Sequence, residues 1–139
     1  MAFFYNSFLN DLVRGRINID ADVFKMMLVT NAYIANRDTD DRRNDVTAEA
    51  SGTGYTSGGI IVTVTATLDT SNDQLVMTVG AASWPSATIT AAGWVVYKSR
   101  GGAASADELL IFNEFGADIT RTNQTFAVAS STIYIRVNG

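Results

Sequence analysis

Apolar and polar residues alternate with two different periods along this chain. Near the start, Phe4, Phe8 and Leu12 recur every four residues with Leu9 and Val13 beside them, which predicts a short helix over Asn6 to Arg14. Gly15 is placed to end it. Beyond it the period falls to two. Val23 to Thr30 is a dense apolar run that predicts a buried strand. Ile60 to Leu68 sets Ile60, Val62, Val64, Ala66 and Leu68 against Thr63, Thr65 and Thr67. Gln74–Val79 follows after the polar turn Asp69 to Asp73, a β-hairpin signal.

Ala87–Ala91, Gly93–Lys98, Leu109–Phe115, Thr125–Ala129 and Thr132–Val137 continue in strand character. In the last of these Ile133, Ile135 and Val137 alternate with Thr132, Tyr134 and Arg136. Pro85, the only proline, is expected at a strand edge or turn. About eight short strands with turn chemistry between them predict an all-β, mainly antiparallel fold. The expectation is a β-sandwich or a jelly-roll-like barrel with a short N-terminal helix. Residues 1–139 are read as a single β-sandwich domain, with residues 1–15 as an N-terminal arm and helix.

Composition narrows the chemistry. The chain has no cysteine and no histidine, which excludes zinc fingers, disulfide frameworks and Cys or His nucleophile systems. Formal net charge is −4 and the basic residues are scattered singly, so there is no stripe for a phosphate backbone and nucleic acid is not an expected partner. No segment reaches the ~20 apolar residues of a membrane span, and the opening Met1-Ala2-Phe3-Phe4 does not read as a signal peptide. The expectation is therefore no membrane, with synthesis in a cytoplasm. Between Asp73 and Lys98 there is no charged residue at all. That stretch suits either ordinary Thr-rich strands or a face that docks on another protein.

Several strings invite a chemical test. Four glycines crowd the loop Glu49 to Gly59, but no Lys-Ser/Thr pair follows and the next segment is a strand, so a phosphate loop is not predicted. Asp38, Asp40, Asp41 and Asp45 have oxygen-ligand character, yet Arg37, Arg42 and Arg43 interleave with them. A mutually neutralising loop is the favoured reading, and no metal or cofactor is expected. Asp107, Glu108, Glu114 and Asp118 are available as paired carboxylates, without any further catalytic pattern, and the chain is not expected to be an enzyme. Trp84 and Trp94, with Tyr55 or Tyr97, are candidates for a sugar-stacking platform or for core. Asn123-Gln124-Thr125 matches a glycosylation sequon that is read as chance.

The chain resembles a family of small virion proteins of tailed bacteriophages. The resemblance rests on Asn6 to Leu12, Gly15, Ile17 to Asp22, Phe24 to Thr30 and Glu49 to Gly59. It ends on Trp84, Ala87 to Ala91 and Val95 to Lys98. It covers residues 6 to 98; the last third is similar only in pattern. The chain departs from the family in the Arg37–Asp45 loop, where relatives often carry a histidine, and in Pro85 beside Trp84. The resemblance implies a capsid decoration (cement) protein that binds and stabilises the major capsid protein shell, located on the virion and oligomeric there. A tail or head–tail connector component and a carbohydrate-binding module on the virion surface are the alternatives. The residues expected to touch the major capsid protein or other virion proteins are Phe3, Phe4, Tyr5 and Phe8 of the arm, Arg37, Arg42 and Arg43 of the charged loop, and Tyr55 of the glycine loop.

Overall fold

Strand alternation and glycine placement build two antiparallel sheets in the computed structural model, which describes residues 1–137. The larger sheet has five strands in the order β1 (Ala2–Phe4), β7 (Leu109–Val128), β6 (Ala82–Lys98), β2 (Phe24–Val29) and β3 (Ile60–Val62). The smaller has three, β4 (Val64–Asp69), β5 (Gln74–Val79) and β8 (Ser131–Arg136). The fold is all-β and sandwich-like, and no ladder joins the two sheets among the described residues.

The sheets are joined where three chain segments turn from one to the other. Thr63 separates β3 from β4, Gly80 and Ala81 separate β5 from β6, and Ala129 and Ser130 separate β7 from β8. The first two turns touch: Gly80 N–H donates to the Thr63 carbonyl at 2.8 Å. A Cβ on Gly80 would lie 2.2 Å from Thr63 Oγ1, so a side chain there would have to displace the Thr63 hydroxyl from the corner. The alternation of Ile60–Leu68, which reads as one strand, therefore serves two sheets. Its burial fades past the corner, from Val64 at 6% exposed to Leu68 at 70%.

β6 and β7 are longer than their sequence patterns, because bulges interrupt the alternation without ending the ladder. Pro85 sits inside one such irregularity, between Trp84 and Ala87, with Ser86 at φ 50°. A second lies where Val96 pairs Ile111 and Tyr97 pairs Leu109, leaving Leu110 as the extra residue. Leu110 and Ile111 consequently join the same core cluster although they are consecutive.

Both faces of the five-stranded sheet are covered. Phe24, Met26, Leu28, Trp94 and Val96 face the main core, which also takes in Met77 and Val79 of the small sheet. Met27, Val29, Val95 and Tyr97 face a second core roofed by the loop that follows β2. The helix α1 (Asn6–Val13) closes the main core with Phe8, whose complete burial is worth about 2–3 kcal/mol. It ends in a Schellman arrangement. Gly15 N–H donates to Leu12 O at 3.2 Å, Arg16 N–H donates to Asp11 O at 2.9 Å, and Gly15 takes φ 74°.

Candidate interaction surface

The N-terminal arm is not free. Ala2–Phe4 pairs with β7, Phe3 opposite Phe112 and Phe4 opposite Ile111. Tyr5 and Phe8 are both 0% exposed, which corrects the expectation that they meet a partner. Tyr5 packs edge-on to Phe3 and Phe8 stacks on Phe4 with ring centroids 5.2 Å apart. The Tyr5 hydroxyl pairs with that of Tyr33 at 2.8 Å, and Tyr33 donates to Asp40 Oδ2 at 2.8 Å. Burial, first of all, pushes the pKa of both phenols above the ordinary tyrosine value, so both stay neutral and hold the loop to the core. Phe3 and Phe4 remain half-buried.

The charged loop is neutralised largely from within the chain. Arg42 donates to Asp11 Oδ2 at 3.1 Å, and Arg16 reaches Oδ1 of the same carboxylate at 3.0 Å. Arg43 Nε donates to Asp107 Oδ2 at 2.7 Å and lies over the Tyr97 ring. Next along, Arg100 grips both oxygens of Glu108, at 2.8 and 2.6 Å. Asp11, Asp107 and Glu108 are all at most 2% exposed, so each cation compensates a charge that would otherwise be stranded in the protein. Burial raises the Glu108 pKa, but the Arg100 hydrogen bonds and charge overcome that and hold it below the usual glutamate value. Arg42 and Arg43 are thus engaged and half-buried; Arg37 alone of the three is exposed, its guanidinium 4.8 Å from the Phe3 ring centroid. Asp38 and Asp40 accept hydrogen bonds from Asn6 and Tyr33, and no cluster of three or more acidic groups that could hold a metal occurs among the described residues.

The glycine loop is fastened by Glu49, a residue the sequence reading left without a role. Its Oε2 accepts from the Tyr55 hydroxyl at 2.5 Å and from Gly58 N–H at 2.7 Å; its Oε1 accepts from Ser57 at 3.1 Å. Leu28 N–H in turn donates to the Tyr55 oxygen at 3.1 Å, tying the loop to β2. The Tyr55 hydroxyl is thus engaged inside the chain, and its ring is half-buried 5.9 Å from Trp84. Close approach explains the glycines. A Cβ on Gly59 would sit 1.8 Å from the Met26 carbonyl oxygen, and one on Gly52 2.0 Å from that of Thr88.

Two further candidates change character. Trp84 and Trp94 are 2% and 1% exposed, so neither offers a face to a sugar ring; they are core. Asp107 and Glu108 are held by arginines, and neither oxygen pair faces a shared cleft with Glu114 or Asp118.

Among the open clefts is one of ≈ 320 Å³, of mixed polar and apolar lining, between the start of the chain and β8. Its walls include Phe3, Phe4, Leu9, Arg37, Ile133 and Tyr134. Leu9, Ile133 and Tyr134 were missed from sequence. Leu9 lies off the main stripe of α1, and nothing local says that β8 comes to rest beside the N-terminus. Other apolar side chains stand in water, among them Val13 and Ile34 at 87% exposed. Comparison with known protein families, with curated proteins and with solved structures finds no match to this chain.

Proposed function

We propose that this chain is a structural protein of a tailed-bacteriophage virion, a module that decorates the head shell and binds the major capsid protein. The observation that carries the reading is a division of labour on the surface. Arg42 and Arg43 of the charged loop are turned inward to the buried acids Asp11 and Asp107, while large apolar side chains such as Val13, Ile34 and Leu68 are left outside. A surface of that kind favours docking over chemistry. The likeness of residues 6 to 98 to small virion proteins supports the same reading.

The work of such a module is mechanical and needs no catalytic group. Apolar surface removed from water at about 25 cal/mol per Å² offsets the cost of docking. Repetition over a symmetric shell then multiplies weak contacts. The net charge of −4 suits a chain that stays soluble before assembly.

The test is quantitative mass spectrometry of purified particles encoded by the genome that carries this chain. Copy numbers in the hundreds, with the chain retained through a density gradient, are expected. A small ring number moves the proposal to the tail or connector. Absence from washed particles ends it.

A further inference from the structure

We infer that β4 is the contact strand of a symmetric dimer: two copies of this chain pair antiparallel along their β4 edges, about a two-fold axis through Ala66. The inference does not depend on the virion reading; it follows from an unguarded edge and from the order of residues along it.

β4 is an edge of the small sheet and pairs only with β5. The Gly80 N–H bond to the Thr63 carbonyl sets the phase of that ladder, so the odd-numbered residues of β4 bond to β5. Val64, Ala66 and Leu68 therefore turn their N–H and C=O groups away from the sheet, and no bond from outside the sheet reaches these groups among the described residues. Thr65, Ala66, Thr67 and Leu68 are exposed in unbroken succession, so this part of the strand is wet on both faces. Sheet edges are normally blunted by shortness, charge, proline or a bulge. The other edges here are: β1 and β3 have three residues each, and β8 carries Arg136. From Val64 to Leu68, β4 has no charge, no proline and no break in its register.

The order of residues selects a second copy as the occupant. Val64-Thr65-Ala66-Thr67-Leu68 reads aliphatic, Thr, Ala, Thr, aliphatic from either end. Laid antiparallel on itself about Ala66, the strand pairs Val64 with Leu68 of the other copy, Thr65 with Thr67, and Ala66 with its own equivalent. The outward backbone groups belong to the even-numbered residues, so the Ala66 pair and the Val64–Leu68 pairs are the hydrogen-bonded ones. The Thr65–Thr67 pairs fall between them on the opposite face, a favourable cross-strand match. Leu68, 70% exposed, comes to lie beside the buried Val64 of the other copy. Such self-matching is what a two-fold contact requires.

Charge agrees with this choice. Two copies of net charge −4 repel, and they meet at least cost where neither carries a charge. From Ile60 to Val79 the only charged residues are Asp69 and Asp73, at the hairpin tip. The antiparallel register sets Asp69 opposite Thr63 of the other copy. The two Asp69 residues are then about 20 Å apart, at ~3.4 Å per strand residue, well beyond a Debye length of about 8 Å. Asp69 is already satisfied within its own turn, by Asn72 and Gln74.

Sedimentation equilibrium of the full chain from about 1 µM to about 1 mM is expected to show a monomer–dimer equilibrium. Over the same range the amides of Val64, Ala66 and Leu68, open in the monomer, should gain protection from hydrogen exchange. Those of Thr65 and Thr67, already bonded to β5, should gain less. Ala66→Lys sets like charges face to face on the axis, and Ala66→Asp does so with the opposite sign; Ala66 is exposed, so both leave the fold intact. Each variant alone should dimerise about tenfold more weakly or less, and an equimolar mixture of the two should recover the lost affinity. A monomer at every concentration overturns the inference. So does a dimer that protects other amides but not these, one that either variant leaves undiminished, or one that the mixture fails to restore. Should the variants unfold, hydrogen exchange on the unsubstituted chain decides alone.

Discussion

Arg43 and Asp107 are 64 residues apart in sequence, and their side chains meet at 2.7 Å with the carboxylate 1% exposed. The contact joins the charged loop to the end of the connection between β6 and β7. Asp107 has one other donor, the Arg100 backbone N–H at 2.9 Å. Arg43→Ala therefore leaves a buried negative charge half-compensated. The expected loss is about 3 kcal/mol, the low end for a broken buried pair because Arg43 itself is partly wet. Urea unfolding measures it. A loss under about 1 kcal/mol places the pair with ordinary surface ion pairs and refutes the locking role.

Gly59 and Gly101 have nearly the same φ, 77° and 78°, in different surroundings. A Cβ at Gly101 meets nothing within 4 Å, whereas one at Gly59 collides with the Met26 carbonyl. Gly101→Ala reports the conformational cost alone, about 1–2 kcal/mol. Gly59→Ala adds the displacement of the loop from β2 and is expected to cost about 4 kcal/mol or to prevent folding. Thermal melts of the two variants settle the comparison. Equal melting temperatures would mean that the loop is not seated on β2.

The strand pattern was legible because alternation is local; the site was not, because its contacts are distant. Phe24–Val29 and Ser131–Arg136 lie close to where the sequence places them. β6 and β7 read as two strands each because their bulges break the period while the ladder runs on. The partners of Arg42 and Arg43 lie 31 and 64 residues away, so the loop could be read as self-neutralising but its buried acids could not be named. One signal was available: Asp11 falls three residues after Phe8, on the apolar stripe of α1, and a carboxylate there has to find a cation. The arm was misplaced because aromatic residues at a chain terminus give no sign of whether a strand will receive them.

Removal of residues 1–5 tests that correction. It deletes β1 and takes the fully buried Tyr5 out of the second core, leaving the Tyr33 hydroxyl with Asp40 alone. The truncated chain is expected to unfold at markedly lower urea concentration, with Tyr5→Ala alone costing about 3–5 kcal/mol. Near-ultraviolet circular dichroism and urea titration follow it. A truncated protein as stable as the full chain would restore the arm as a free appendage.

Stability should fall at both ends of the pH scale, for groups that can be named. Burial raises the Glu108 carboxyl and Arg100 more than reverses it, so the folded state binds its proton less readily than the unfolded chain. That contribution is present above the ordinary value of 4.5 and is lost as pH falls through the lower, folded-state value. Arg100→Ala should flatten this acid limb. At the other end, burial raises the phenols of Tyr5, Tyr33 and Tyr55, and pushes that of Tyr97 up to about 12. Here the folded state holds protons that the unfolded chain releases near 10. Stability from these groups is therefore complete below that value and declines as pH rises through the folded-state values. Urea midpoints across the range, with tyrosinate absorbance at 295 nm followed in parallel, check both limbs. Full ionisation of Tyr5, Tyr33 and Tyr97 at pH 10 in a still-folded protein would contradict the burial on which the second core depends.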